Sequence, residues 1–194
     1  MAVGTELLTR IWNEEYGWGD KRHPIRDNHP QIMLSIKWQL ERELLKSPGS
    51  ILDVCGGNTT HLYIPEPLLA NTTVLDGNID FLGQSRAAYT QPGDTHDAFP
   101  FPDSVFDTVV SFFGMRYSPI IPVINEMKRV VKPNGKILLF DFDTIGHPLE
   151  EAVFSPDKLR SKVGVGLSQF EFVSVAEQNK HHSAVWLFKG LKAS

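Results

Sequence analysis

The sequence predicts an α/β fold: a doubly wound, mostly parallel sheet of seven strands with an antiparallel hairpin at its C-terminal edge. Two observations predict it. Short apolar runs alternate with helix-patterned segments through the middle of the chain, the pattern of parallel strands joined by crossover helices. Two further strand-like runs then close the chain, which suits a reversed strand at the edge of a mixed sheet.

The elements follow in order. Residues 6–18 carry Leu7, Leu8, Ile11 and Trp12 at helical spacing. Gly17-Trp18-Gly19-Asp20 breaks that pattern, and the polar stretch to His29-Pro30 reads as a loop. Residues 31–46 predict a second helix with Ile32, Met33, Ile36, Leu40 and Leu44 on one face, ended by Ser47-Pro48-Gly49. These two N-terminal helices (residues 1–48) cap a core formed by residues 49–194, within a single domain. Residues 50–54 predict the first strand. Residues 60–70 read as a helix that Pro65 and Pro67 break into short pieces. Residues 72–75 form the second strand, ending at Asp76. Asn78 caps a short helix over residues 79–86. Residues 87–90 are a weak third strand, and residues 106–112 a strongly apolar fourth. Residues 119–131 carry Ile121, Val123, Ile124, Met127 and Val130 as a helical apolar set. Pro133-Asn134-Gly135 turns into a fifth strand at 136–142. Residues 149–163 read as partly helical, and residues 170–175 and 182–188 as the closing strands.

Composition bounds the function. A chain of 194 residues suits one domain with a sizeable core. Hydrophobic residues at 41% and charged residues at 22% mark ordinary globular material. A net charge of -4 without a basic block argues against nucleic acid as the partner. No apolar run approaches the ~20 residues of a membrane span. The start, Met1-Ala2-Val3-Gly4-Thr5-Glu6, does not read as a secretory signal, so the expected compartment is the cytoplasm. One cysteine, Cys55, makes neither an internal disulfide nor a zinc cluster, and no metal is expected. The expected partner is a small molecule, and a homodimer is compatible with the chain.

In open parallel sheets, ligands bind at the carboxyl ends of the strands, where the topology switches. Asp53, Cys55, Gly56, Gly57 and Asn58 follow the first strand here. Asp76, Gly77 and Asn78 end the second, and Gly93, Asp94, Thr95 and His96 follow the third. Ser111 and Phe112 end the fourth, and Asp141 and Asp143 flank the end of the fifth. A strand entering a helix through a glycine turn presents backbone N–H groups to a nucleotide-like ligand. Each residue also has a structural reading: Asp53 satisfying turn amides, Asp76-Gly77 as a plain turn, Asp94 as a loop cap. Asp107 reads as structural, fixing the start of its strand. The order and spacing of the set favour a bound cofactor.

The most specific stretch runs from Gly93-Asp94-Thr95 through Phe99-Pro100-Phe101-Pro102 to Phe106-Asp107 and an apolar strand. A second is Glu126-Met127-Lys128-Arg129-Val130-Val131-Lys132-Pro133-Asn134-Gly135. Over roughly residues 49–142, these motifs resemble the class I S-adenosylmethionine-dependent methyltransferases, in their small-molecule branch. That family shows Gly-Asp-Ala, an acidic residue, Leu-Pro-Phe-Pro and Phe-Asp, then Glu-x-x-Arg-Val-Leu-Lys-Pro-Gly-Gly. The resemblance implies a Rossmann-like core with S-adenosyl-L-methionine as cofactor. By that likeness, Gly56 and Gly57 let the backbone approach the methionine portion, and Asp53 holds its ammonium directly or through water. Asp76 accepts from the ribose hydroxyls. Asp94 accepts from the adenine amino group while the Thr95 N–H donates to a ring nitrogen. Asn78 or Ile79 flanks the adenine, and Ser111 and Phe112 lie under the sulfonium.

The glycine turn departs from the family pattern, acid-x-Gly-x-Gly-x-Gly. Its glycine positions hold Cys55, Gly57 and Thr59. A Cβ at Cys55 narrows the ligand's approach and disfavours positive φ. Thr59 or Thr60 could compensate by capping the following helix through a hydroxyl. Cys55 reads as a packing residue rather than a nucleophile. The adenosine side is therefore kept better than the methionine side, and three functions stay open. One is methyl transfer to a small molecule. The second is an enzyme that binds the same cofactor and cleaves or cyclises it. The third is a catalytically silent binding protein that works as a partner subunit.

Methyl transfer needs an acceptor held in line with the sulfonium. Tyr16, Arg116 and Tyr117 are the candidates for positioning it. Tyr16 lies near Trp18, His23, Arg26 and His29 in a helix-loop that could form a water-excluding lid, or simply pack on the core. Arg116 could fork a carboxylate or make a surface salt bridge. Tyr117 could orient a substrate or pack. His181-His182 reads as structural, and Asp141 with Asp143 does not establish a metal site.

Overall fold

The computed structural model describes residues 30–46, 48–114, 118–142, 163–176 and 185–194. Tyr16, Arg116, Tyr117, Asp143, His181, His182 and the expected first helix lie outside the described residues. The chain divides into two compact units, Met1–Trp38 and Gln39–Ser194, and the second carries the sheet.

The elements are α1 (Pro30–Leu45), β1 (Ile51–Val54), a 3₁₀ turn (Thr60–Leu62), α2 (Glu66–Leu69), β2 (Thr72–Asp76), α3 (Ile79–Leu82), β3 (Tyr89–Pro92), β4 (Phe106–Phe112), α4 (Ile120–Val130), β5 (Val131–Phe142), β6 (Leu167–Ala176) and β7 (Val185–Lys192). The seven strands form one sheet in the order β3-β2-β1-β4-β5-β7-β6. The first five are parallel, while β7 runs antiparallel to both β5 and β6. The chain winds outward from β1 to β3, then returns to place β4 beside β1. The carboxyl ends of β1 and β4 therefore flank the switch point, where such sheets bind ligands.

Burial explains why these segments are strands. Every residue of β1 is buried, as a strand covered on both faces must be. Leu52, Val54, Leu75, Val109, Ile137 and Leu139 share one core cluster with Ile124 and Met127 of α4. α4 presents Val123, Ile124, Met127 and Val130, an i, i+1, i+4, i+7 stripe, and all four are fully buried. Removing such apolar surface from water is the main force holding the helix on the sheet.

The two motifs that read separately in the sequence form one fastening. Arg129 of α4 donates to the carbonyls of Phe99 at 2.9 Å and Phe101 at 2.7 Å, and to Asp103 at 2.8 Å. Glu126 accepts from the Phe99 N–H at 2.8 Å and from Arg129. The bonds from Arg129 hold the Glu126 carboxyl below its usual range. The loop ahead of β4 is thus pinned to the helix behind it. Asp107 is structural, as expected: Oδ2 accepts from the N–H and hydroxyl of Ser50, and both oxygens accept from Lys132 at 2.9 Å. Partial burial acts to raise its pKa, but the bonds from Lys132 and Ser50 leave it lowered.

Several boundaries differ from the sequence reading, each for a local reason. Residues 60–70 are broken as the prolines require, into a 3₁₀ turn and the four-residue α2. α3 stops at Leu82, with Asn78 Oδ1 accepting from the N–H groups of Asp80 and Phe81 as its cap. The third strand is Tyr89–Pro92 rather than 87–90, since its register is set by pairing with Thr73 to Asp76. The fifth strand begins at Val131, not at 136. Val131 pairs with Phe106, the register shifts, and Lys136 pairs with Thr108. The expected Pro133-Asn134-Gly135 turn is an irregularity inside that strand, where Asn134 adopts φ 61°. No described helix is long and apolar enough to cross a membrane.

Candidate functional site

β1 ends in Asp53, next to last in β1, is fully buried. Its Oδ2 accepts from the Thr60 hydroxyl at 2.6 Å and from the Tyr63 hydroxyl at 2.6 Å. Its Oδ1 is buried with no partner among the described residues. Burial raises the carboxyl to about 7, even though the two hydroxyls pull it down, and the nearby Asp76 charge adds to the rise. The carboxyl is therefore a half-satisfied acceptor held in place by two hydroxyls.

Two expectations are corrected here. Asp53 does not satisfy turn amides; it takes two side-chain hydroxyls instead. Thr59 and Thr60 cap no helix: the Thr59 hydroxyl donates to the Gly56 carbonyl at 3.1 Å, and that of Thr60 goes to Asp53. The Thr60 bond fixes Gly56. A Cβ there would stand 2.1 Å from Asp53 Oδ2 and 2.5 Å from the Thr60 oxygen.

The turn keeps glycine geometry at Cys55, where the family pattern has a glycine. Cys55 sits at φ 59° and Gly57 at φ 53°. The strain disfavoured at a cysteine is accepted here, at a cost of roughly 1 kcal/mol. The Cys55 N–H is bonded to the Leu75 carbonyl at 2.7 Å. Its side chain lies against Gly114, where an added Cβ would come 2.5 Å from the Cys55 Cβ. Burial pushes the thiol far up, and the Asp76 charge adds to this, so it is no nucleophile.

β2 ends in Asp76, 2% exposed. Its Oδ1 accepts from the Asn78 N–H at 2.8 Å, and the Gly57 N–H also bonds to the carboxyl. Burial raises its pKa, and these two amides work against the rise. Asp76 thus ties the β1 turn to the start of α3. A Cβ on Gly57 would lie 3.5 Å from Asp76 Oδ2 and 3.5 Å from the Phe81 ring. Gly77 stands near the Gly93 carbonyl, which brings the loops after β2 and β3 together. Asn58 turns outward to Gln84 at 3.1 Å.

On the loop after β3, Asp94 Oδ1 accepts from the His96 N–H at 2.9 Å and lies 2.7 Å from its ring Nδ1. The loop-cap reading of Asp94 is therefore real, and it uses one oxygen. The Thr95 hydroxyl lies 2.7 Å from that of Ser118, with both residues buried. At the end of β4, Ser111 is fully buried and its hydroxyl has no partner among the described residues. Phe112 stacks on Tyr63 with centroids 4.5 Å apart and meets Phe113 edge-on at 4.8 Å.

The structure thus brings Asp53, Cys55, Gly56, Gly57, Asp76, Gly77, Asn78, Thr95, Ser111 and Phe112 to one edge of the sheet. Sequence reasoning missed Tyr63. No sequence signal marked Tyr63, because the prolines hid which way its short helical piece would face. Asp141 is buried at the end of β5, and no metal-holding group of His, Cys, Asp or Glu occurs among the described residues.

This edge can do three things chemically. It offers buried carboxylate oxygens to hydroxyls or a cation. Its turn, with φ positive at residues 55 and 57, lets a ligand approach backbone. Unpartnered oxygens on Asp53 and Ser111 can each take up a polar group.

The chain is similar to known methyltransferases. A family described as a methyltransferase domain matches residues 52–139. A ubiquinone/menaquinone biosynthesis C-methyltransferase, UbiE, of Agrobacterium fabrum is 32% identical, with 73% of this chain and 62% of that protein covered. A demethylmenaquinone methyltransferase of Listeria monocytogenes is 30% identical, covering 63% of this chain and 58% of that one. The chain spans less than two thirds of the length of either relative. Among solved structures, the N-methyltransferase NodS of Bradyrhizobium japonicum superposes with a TM-score of 0.65 at 16% identity, over 87% of this chain and 99% of that one. That likeness carries the fold.

Proposed function

We propose that this chain, which belongs to the class I S-adenosylmethionine-dependent methyltransferases, transfers a methyl group from that cofactor to a small-molecule acceptor. The observation that carries the reading is the order of acidic groups along the carboxyl edge of β1, β2 and β3, beside a turn whose backbone is left-handed at Cys55 and Gly57. The residues fit the cofactor. Asp76 would accept from the ribose hydroxyls, since one of its oxygens is committed to Asn78. Asp94 has both its bonds on Oδ1, which leaves Oδ2 for the adenine amino group. Asp53 supplies the negative end for the methionine ammonium through its unpartnered oxygen. It is fully covered, so that contact runs through water or follows a small opening of the turn. A nearby ammonium would favour the ionised carboxylate.

When bound, S-adenosylmethionine supplies an electrophilic methyl on a sulfonium. The chain's own task is to orient it and to hold the acceptor in line. Ser111 and Phe112 are our candidates for lying under the sulfonium, and Arg116, Tyr117 and Tyr16 for positioning the acceptor. The names of the two relatives, a ubiquinone/menaquinone biosynthesis C-methyltransferase and a demethylmenaquinone methyltransferase, favour a quinone-type ring as acceptor class. Retention of positive φ at Cys55 speaks against a decayed, silent turn.

The test is to incubate the protein with S-adenosylmethionine, with and without a demethylated quinone, and to identify the nucleoside released. S-adenosylhomocysteine formed only with the acceptor is the expected result. Methylthioadenosine would replace this reading with cofactor cleavage or cyclisation. No turnover and no binding would leave a silent protein.

A further inference from the structure

Cys55 and Thr95 both depart from the family pattern, which has glycine at the first position and alanine at the second. The two departures meet in space. The Thr95 and Ser118 hydroxyls lie 2.7 Å apart, and both side chains act to lower the pKa of the Cys55 thiol beside them. Thr95 is 8% and Ser118 4% exposed. Gly114 closes the group: a Cβ there would also come 2.9 Å from the Cys55 carbonyl and 3.1 Å from the Ser111 hydroxyl.

One hydrogen bond thus fastens the loop after β3 to the approach to α4, and the turn after β1 packs beside it through Cys55 and Gly114. The thiol belongs to the turn after β1, Thr95 to the loop after β3, and Ser118 to the approach to α4. The arrangement is costly in three ways. Cys55 carries left-handed backbone. Two hydroxyls are buried and need partners. Gly114 has no room for a side chain. None of these is needed to pair the strands, which are bonded through their own backbones. A glycine and an alanine would relieve the first cost and remove one buried hydroxyl.

We infer that Cys55, Thr95 and Ser118 are positioning residues that couple the cofactor site to the start of α4, so that filling the adenosine site is felt at Ser118 and the first turn of that helix. Thr95 is the mechanical link, because its neighbour Asp94 meets the adenine and its own hydroxyl meets Ser118. The inference rests on the cofactor reading above.

Hydrogen exchange tests it, with S-adenosylhomocysteine as the probe and no acceptor needed. Amide exchange is followed in a peptide covering residues 118–124, free and with saturating probe, and affinity is measured by calorimetry. In the parent protein the probe should slow exchange there at least fivefold. In Thr95→Ala, Ser118→Ala and Cys55→Gly that slowing should fall below twofold, with the probe still bound at saturation. Thr95→Ser, which keeps the hydroxyl, should restore it. A purely structural role would leave the probe-induced slowing intact. If Thr95→Ala and Ser118→Ala bind the probe and keep fivefold slowing, the inference is overturned while the cofactor reading stands. If the parent protein does not bind the probe at all, both fail.

Discussion

Asp53→Asn is the substitution whose consequence can be worked furthest from the structure. In the folded protein the Asp53 carboxyl is raised from 3.8 to about 7, chiefly by burial. The folded state therefore holds this proton more tightly than the unfolded chain does. Its contribution to stability is fully present below pH 3.8 and is lost as pH rises toward about 7. At about 1.4 kcal/mol for each pH unit, the loss between pH 5 and 8 is on the order of 3 kcal/mol. Asparagine keeps an acceptor for Thr60 and Tyr63 and has no proton to lose. The difference in unfolding free energy between the parent and Asp53→Asn should therefore shift by about 3 kcal/mol in favour of the variant from pH 5 to pH 8. Urea unfolding at four pH values reads it. Asp76 is raised as well, but it is present in both proteins and largely cancels. A difference that stays constant across this window would refute the raised pKa of this buried, half-satisfied carboxyl.

Other outcomes follow from the same geometry. Asp76→Asn should weaken S-adenosylmethionine binding about tenfold to a hundredfold, the effect of losing bonds to a charged acceptor, as read by calorimetry. Gly56→Ala should lower stability by about 2–3 kcal/mol in urea unfolding, since its Cβ displaces the Asp53–Thr60 bond. Gly114→Ala should be destabilising, and Cys55→Gly should relieve only part of the loss, because the added Cβ meets the Cys55 side chain at 2.5 Å but also the Cys55 carbonyl at 2.9 Å; strict additivity would count against the side-chain contact. Arg129→Ala should cost about 1–3 kcal/mol by freeing the Phe99 and Phe101 carbonyls, and a neutral result would mean the loop is held otherwise.

Much of the fold is legible in the sequence because it rests on local patterns. The four-residue spacing in α4, the apolar run of β4 and the Asn78 cap each state their structure within a few residues. The site is legible as a set of positions, since acids and glycines stand at the strand ends. Its internal bonds are not. Nothing local tells that Thr60 turns to Asp53 rather than to a helix amide, or that Tyr63 arrives from a proline-broken segment to donate to the same oxygen. Cys55 shows the same limit. Its identity predicts avoidance of positive φ, yet packing against Gly114 and bonding to Leu75 hold it at 59°. Likewise, the start of β5 was misplaced because Val131 pairs with Phe106 ahead of the turn that normally precedes a strand.

The central claim is that the carboxyl edge of β1, β2 and β3 holds S-adenosylmethionine, and calorimetric titration of the protein with that cofactor tests it most directly. One site per chain, weakened strongly by Asp76→Ala and left nearly unchanged by Asp107→Asn on the opposite edge, is the expected result. Absence of binding, or equal affinity in Asp76→Ala, would contradict it.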